Sequence, residues 1–212
     1  MERWWRWPLA HREGGTDLSY GEAIYYQGVQ LFNIRSRMIK AIYVNQFGWE
    51  QAVCGSRMPH DMSFMDIRRA SDVEFGMSIY EPFGIAQFEP LTFGSICVPS
   101  RVCGCVGFLE KVTGGASVPN VFVADYCDLG PGRQDEKNLL ALDRDHRTER
   151  EEKVAEQIAR YIVDTLPTND AQTEELLRKG YELAGQMSWN VVAGKFVLPA
   201  IDAICAKKAD SR

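Results

Sequence analysis

The chain has 212 residues, of which 45% are hydrophobic and 25% charged, with a net charge of -5 and a pI near 5.3. This composition is ordinary for a soluble globular protein, and the acidic balance argues against nucleic acid as the main partner. No apolar run approaches the roughly 18 residues that span a bilayer, so we predict no membrane span.

The N-terminal region has the weakest pattern in the chain. Residues 20–33 have the spacing of a helix and residues 35–44 that of a strand. We therefore treat residues 1–45 as a separate N-terminal segment and residues 46–212 as one domain.

The first residues, with Trp4, Trp5 and Trp7, lack the apolar core and the cleavage site of a signal peptide, which predicts a cytoplasmic location. The three tryptophans indicate an apolar edge that packs on a neighbouring domain or a partner. The six cysteines are scattered among predicted core strands and are expected to be reduced, buried thiols.

The centre of the chain reads as strand, loop, helix and strand. Residues 72–80 and 95–99 have strand-like patterns, the second ending at a proline. Between them, a helix is expected to begin after Pro82, because apolar and neutral side chains then recur at three- and four-residue spacings: Ile85, Phe88, Leu91 and Thr92.

Two carboxylates, Glu81 and Glu89, lie in the middle of this unit with seven residues between them. In an open parallel sheet, ligands bind outside the carboxyl ends of the strands, near the N–H groups of the next helix. Glu81 would lie in the loop and Glu89 about one and a half turns into the helix. Carboxylates there suit a polyol, because they can accept hydrogen bonds from its hydroxyl groups, and the backbone N–H groups from Gly84 to Ala86 would supply donors.

The segments that follow continue the alternation of strands and helices. Residues 101–107 read as a glycine-bearing loop, residues 121–125 as a strand and residues 143–153 as a charged, solvated loop. An apolar stripe then predicts a helix through Val154, Ile158, Tyr161, Ile162 and Leu166. Two more helices are predicted over residues 174–186 and 190–207.

Metal and dinucleotide sites have little support in the sequence. Cys103-Gly104-Cys105 lacks a second ligand pair, and the three histidines have no ligand spacing. No Gly-x-Gly-x-x-Gly sequence is present, which counts against a dinucleotide-binding enzyme. We therefore predict no metal and no cofactor.

The run Glu81-Pro82-Phe83-Gly84, followed by Glu89 and Gly94, resembles the nucleotide-sugar site of retaining glycosyltransferases of the GT-B fold, of the glycogen synthase or group 1 type. The resemblance covers roughly residues 61–110. A second stretch, with Ser188-Trp189 before the last helix, is similar to the C-terminal region of that family, although the pair also fits a helix cap with an aromatic staple.

The resemblance implies the C-terminal, donor-binding domain of such an enzyme, a Rossmann-like α/β domain. It implies that Glu81, Phe83, Gly84 and Ile85 bind the donor sugar, and that Ala86 and Glu89 bind the nucleotide. The nucleotide diphosphate sugar would be a donor substrate, and the resemblance implies no metal. It names no catalytic residue in this chain.

Two departures from the family leave alternatives open. A complete GT-B enzyme has two Rossmann-like domains, and 212 residues hold about one, so an acceptor domain or subunit is an expected partner. The family's basic pair for the diphosphate has no match in spacing among Arg35, Arg37 and Lys40. The alternatives are a nucleotide-sugar-binding remnant or subunit without activity, and a Rossmann-like structural domain with no sugar ligand.

Overall fold

A computed structural model of the protein describes residues 11–12, 15–16, 20–39, 41, 43, 60–78, 81–126, 128 and 135–209. The chain divides into two compact units, residues 1–70 and residues 71–212. The predicted boundary between residues 45 and 46 lies outside the described residues, as do Trp4, Trp5 and Trp7.

In its described residues, the first unit contains a short antiparallel pair, β1 (His11–Arg12) and β2 (Gly15–Thr16), and the helices α1 (Tyr20–Arg35) and α2 (Phe64–Arg69). Helix α1 confirms the helix predicted over residues 20–33. The strand predicted over residues 35–44 is wrong for the described residues, because Arg35 ends α1 and residues 36–39, 41 and 43 lie in a loop. The buried Asn33 explains the loop, because its amide both donates to the Ala41 carbonyl and accepts from the Ala41 N–H, each at 2.7 Å.

The second unit mixes strands and helices around a two-stranded parallel sheet. Its elements are β3 (Val73–Gly76), 3-10 turns at Ile85–Gln87 and Glu89–Phe93, β4 (Ile96–Pro99), α3 (Gly104–Thr113), α4 (Glu136–Leu140), α5 (Arg144–Thr165), α6 (Asp170–Gln186), α7 (Trp189–Val192), a π-helical turn at Ala193–Val197, and α8 (Leu198–Ala209).

Strands β3 and β4 pair in parallel, with Val73 opposite Ile96. The strand predicted over residues 121–125 lies beside β4, but it forms only two isolated parallel bridges, from Cys97 to Val121 and from Ser100 to Ala124. The sheet is therefore small, although its parallel direction and its flanking helices agree with the predicted α/β class.

Side chains of β4 alternate between two buried clusters. Cys97 belongs to a cluster with residues of α3 and α6, whereas Ile96 and Val98 belong to a cluster with Val154 and Ile158 of α5. Because successive side chains of a strand point to opposite faces, the two clusters lie on opposite faces of the sheet. Helices therefore cover both faces, as parallel sheets require.

Helix α5 confirms the predicted apolar stripe, but it begins ten residues earlier than the sequence indicated. Asp143 is its N-cap, and the carboxylate accepts from the His146 N–H at 2.9 Å. An exposed ion pair of Arg147 with Glu151, one turn apart, then supports the helix. The solvated loop predicted over residues 143–153 is therefore wrong, since these charges form the exposed face of a helix.

Helix α6 packs against the turn Glu89–Phe93, and two residues make this contact close. Gly180 lies against the Leu91 carbonyl, where a larger side chain has no room. Asn120 is 1% exposed, and its amide nitrogen lies 3.0 Å from the Leu176 carbonyl and 3.4 Å from the Gly94 and Ser95 carbonyls. The turn is thereby tied both to α6 and to the start of β4.

Residues 189–204, in the second unit, carry several exposed apolar side chains. Among the described residues, 170–207 is the one helical stretch that by length and composition is able to cross a membrane, and its most apolar window is not buried. Trp189 is 82% exposed, so it is not an aromatic staple, and Ser188 makes no side-chain cap hydrogen bond. The predicted helix over residues 190–207 is confirmed, with a π-helical turn within it.

Candidate functional site

The segment that carries Glu81 lies beyond the carboxyl ends of the two parallel strands. Glu81 forms a parallel bridge with Cys103, and its carbonyl accepts from the Gly104 N–H at 3.0 Å. The Phe83 carbonyl accepts from the Cys105 N–H at 2.6 Å. We call residues 81–84 the Glu81 loop. The first amides of α3 therefore hold this loop in place.

Gly104 is required by this arrangement, because a Cβ at that position would clash with the Pro82 carbonyl. The predicted glycine-bearing loop over residues 101–107 is thus a short turn followed by the first residues of α3. The glycine permits a close approach of helix and loop.

Gly84, at the end of the Glu81 loop, has a φ of 82°, a left-handed conformation that favours glycine. An added Cβ would also lie only 2.6 Å from Oε1 of Gln87. The side chain of Gln87 fills the space between Gly84 and Gly76, and its buried Oε1 has no hydrogen-bond partner within the described structure. Sequence reasoning missed Gln87, whose only signal is the pair of glycines that it packs against.

The amphipathic helix predicted after Pro82 is wrong, because this region forms two short 3-10 turns. Pro90 has no N–H to donate to a helix, and it lies at the start of the second turn. Phe88 and Leu91 are buried as the spacing predicted, whereas Thr92 is exposed. Turns of this length carry no helix macrodipole that could act on a ligand.

The other predicted site residues differ in their exposure. Glu81 is half-buried, and Phe83 is 52% exposed. Gly84 is buried, whereas Ala86 and Glu89 are exposed. Ile85 begins the first 3-10 turn, and Glu89 begins the second instead of lying within a helix. All of them belong to one continuous segment between the carboxyl end of β3 and the start of β4.

Two buried thiols lie beneath the Glu81 loop. Burial raises the pKa of the Cys103 thiol, and the nearby charge of Glu81 adds to this effect. Burial, with a smaller effect from Cys103, raises the pKa of the Cys105 thiol to about 12. Both thiols are therefore protonated at neutral pH and poorly reactive. Cys97 is buried as predicted, but Cys205 is exposed.

The raised pKa of Cys105 predicts a loss of stability in alkaline solution. A pKa that is higher in the folded chain than in the unfolded chain stabilises the fold below pH 9, and this contribution disappears as the pH approaches about 12. The slope is at most about 1.4 kcal/mol per pH unit, and solvent screening reduces the pKa shift and with it the total loss of stability. Between about pH 8 and about pH 10, the free energy of unfolding measured in urea should fall more steeply with pH for the wild type than for Cys105→Ala. Equal slopes would contradict the assignment.

Arg101 is a cation at the same edge of the sheet that the sequence reasoning did not consider. Its guanidinium contacts Glu110 at 3.1 Å and Asp125 at 3.8 Å, so its charge is already offset. Of the basic residues considered earlier, Arg35 and Arg37 belong to the first unit, and Lys40 lies outside the described residues.

Within the part of the chain that the structure describes, no group of three or more His, Cys, Asp or Glu side chains is arranged to hold a metal ion. In comparisons with known proteins, no protein-family model and no curated protein sequence matches this chain.

Proposed function

We propose that residues 71–212 form a Rossmann-like unit that binds a nucleotide diphosphate sugar, as the donor-binding half of a retaining GT-B glycosyltransferase. The observation that carries the proposal is the position of the Glu81 loop at the carboxyl ends of β3 and β4, where its carbonyls bind the first amides of α3. Ligands of parallel α/β sheets bind at this edge. The helices on both faces of the sheet support the same architecture.

The exposure of the side chains supports distinct roles in donor binding. The half-buried Glu81 carboxylate accepts hydrogen bonds from hydroxyl groups of the sugar, and the exposed Phe83 ring packs on the apolar face of the sugar ring. The exposed Glu89 carboxylate accepts hydrogen bonds from the ribose hydroxyl groups. In this proposal both carboxylates position the donor and neither acts as an acid or a base.

The reaction would transfer the sugar to an acceptor hydroxyl, with retention at the anomeric carbon and without a metal ion. The acceptor would be held by a separate domain or subunit. Since Arg101 is engaged with Glu110 and Asp125, we propose that this partner also supplies positive charge to the diphosphate.

The test is calorimetric titration with UDP-, ADP- and GDP-linked sugars. We expect one donor to bind. Glu81→Gln and Glu89→Gln should each lower the affinity for that donor by about 10- to 100-fold, as for the loss of a charged hydrogen-bond partner. Glu156→Gln, on the exposed face of α5, is the matched control and should bind like the wild type. Absence of binding by every donor, or equal binding by all variants, would refute the proposal.

A second candidate is a nucleotide-sugar-binding subunit with no activity of its own. The exposed apolar side chains near the C-terminus favour a chain that acts with a partner, namely Trp189, Val197, Leu198, Ile201 and Ile204. The titrations alone do not distinguish the two candidates, because both bind the donor. Release of free nucleotide when the acceptor-binding partner is present would favour the first candidate, and binding without release under the same conditions would favour the second.

We also propose that the protein is cytoplasmic and does not cross a membrane. Lys195 and Asp202 lie in the C-terminal part of the apolar stretch 170–207. A charged side chain at the centre of a bilayer costs about 2.5–3.5 kcal/mol. The ring of Phe196, in the same part, contacts the ring of Phe108 on α3.

A further inference from the structure

Three phenylalanine rings connect the Glu81 loop to the C-terminal part of the chain. The ring centroids of Phe83 and Phe108 are 6.4 Å apart with an angle of 38° between the planes. Those of Phe108 and Phe196 are 6.0 Å apart at 74°, an edge-to-face contact. Both separations fall within the range of about 4.5–7 Å over which aromatic pairs attract.

Phe196 is held from two positions on α3. Phe108 and Lys111 are three residues apart and therefore share one face of the helix. The Lys111 ammonium lies 4.4 Å from the centroid of the Phe196 ring, a cation–π contact. Phe196 belongs to the π-helical turn Ala193–Val197, and such turns are rare and frequently found at functional sites.

The ring of Phe83 differs from its backbone in how firmly it is held. The Phe83 carbonyl is bound by the Cys105 N–H, but the side chain is 52% exposed and packs on Phe108. Without that support the ring would sample other rotamers, and a ligand that packs on it would have to order it at an entropic cost. Phe108 lowers that cost, and Phe196 in turn restrains Phe108.

We propose that Phe108 and Phe196 are positioning residues for the donor sugar, which fix the Phe83 ring in the orientation that packs on the sugar. The proposal rests on the function proposed above. It gives the C-terminal helical segment a part in sugar binding that is exerted through Phe83. Binding of the nucleotide, which we assign to Ala86 and Glu89, should not depend on these rings.

The first experiment compares the Kd of the nucleotide-sugar with that of the free nucleoside diphosphate. Phe108→Leu and Phe196→Leu should each raise the Kd of the nucleotide-sugar by about five- to tenfold. The Kd of the free nucleoside diphosphate should stay within about twofold of the wild-type value. Trp189→Leu, an exposed aromatic on the same C-terminal segment, should change neither. Equal weakening of both ligands would indicate a general loosening of the fold and would overturn the proposal, as would unchanged binding.

A second measurement needs no ligand, so that failure of the ring contacts and failure of the proposed function are distinguishable. With 4-fluorophenylalanine at position 83, the fluorine resonance should shift in Phe196→Leu, through Phe108, and should not shift in Trp189→Leu. An unshifted resonance in Phe196→Leu would overturn the coupling of the rings. A shifted resonance in a chain that binds no donor would uphold the coupling and refute the sugar-binding function.

Discussion

Replacing Gly180 by alanine is expected to lower the free energy of unfolding by about 2–3 kcal/mol, the cost of inserting a methyl group into a filled space. The added Cβ would clash with the Leu91 carbonyl and lie 3.2 Å from the amide nitrogen of Asn120. The Leu91 carbonyl belongs to the backbone, and the Asn120 amide is held by its hydrogen bond to the Leu176 carbonyl, so α6 would have to move away from the turn Glu89–Phe93.

Gly185→Ala is the matched control, because it lies in the same helix with nothing within 4 Å of an added Cβ. There alanine should raise the stability by about 0.5–1 kcal/mol through its higher helix propensity. Denaturant midpoints of the two variants should therefore move in opposite directions. A Gly180→Ala variant as stable as the wild type would contradict the close contact between α6 and the turn.

Replacing Asn120 by aspartate is expected to destabilise the protein by about 3–5 kcal/mol at neutral pH, because a buried charge is left without a partner. The amide nitrogen of Asn120 faces the carbonyls of Leu176, Gly94 and Ser95. A carboxylate there would put a hydrogen-bond acceptor in place of the amide donor. It would then face three carbonyl oxygens, which are also acceptors, in a position that is 1% exposed.

The pH dependence of Asn120→Asp distinguishes this cause from simple misfit. Burial and the facing carbonyls raise the folded pKa of the introduced carboxyl above its unfolded value of about 3.9. The loss of stability caused by Asn120→Asp is therefore smallest below the unfolded pKa and grows as the pH rises through the folded pKa. Asn169→Asp, at the N-cap of α6, should be nearly neutral, since the two residues cap equally well. A penalty in Asn120→Asp that is independent of pH would argue against the assigned hydrogen bonds.

Local patterns in the sequence predicted the elements whose side chains repeat regularly. The stripe from Val154 to Leu166 predicted the buried face of α5, and the short apolar run at residues 95–99 predicted β4. The charged residues just before the stripe were assigned to a loop because their helix-forming contacts, such as the Asp143 cap, were not weighed against their polarity.

Features that depend on contacts between distant residues were not predictable in this way. Pro90 is visible in the sequence and argues against a continuous helix, yet the apolar spacing of Phe88 and Leu91 fits a 3-10 turn as well as an α-helix. The need for glycine at position 104 arises only when the Pro82 carbonyl approaches from another segment. The positions of Gln87 and of the ring of Phe196 depend on tertiary packing in the same way.

The parallel pairing of the strands leads us to expect a particular order of folding. Val73 pairs with Ile96, and Cys97 with Val121, so each pairing closes a long loop before any contact is gained. Helices α5 and α6 consist of local contacts and are expected to form earlier. The hydrogen bonds of the Glu81 loop to the first amides of α3 join segments that follow β3 and β4, so we expect them to form after the two strands have paired. We therefore expect ligand binding to be the last property acquired on refolding and the first lost in denaturant, while the helical signal of α5 and α6 persists.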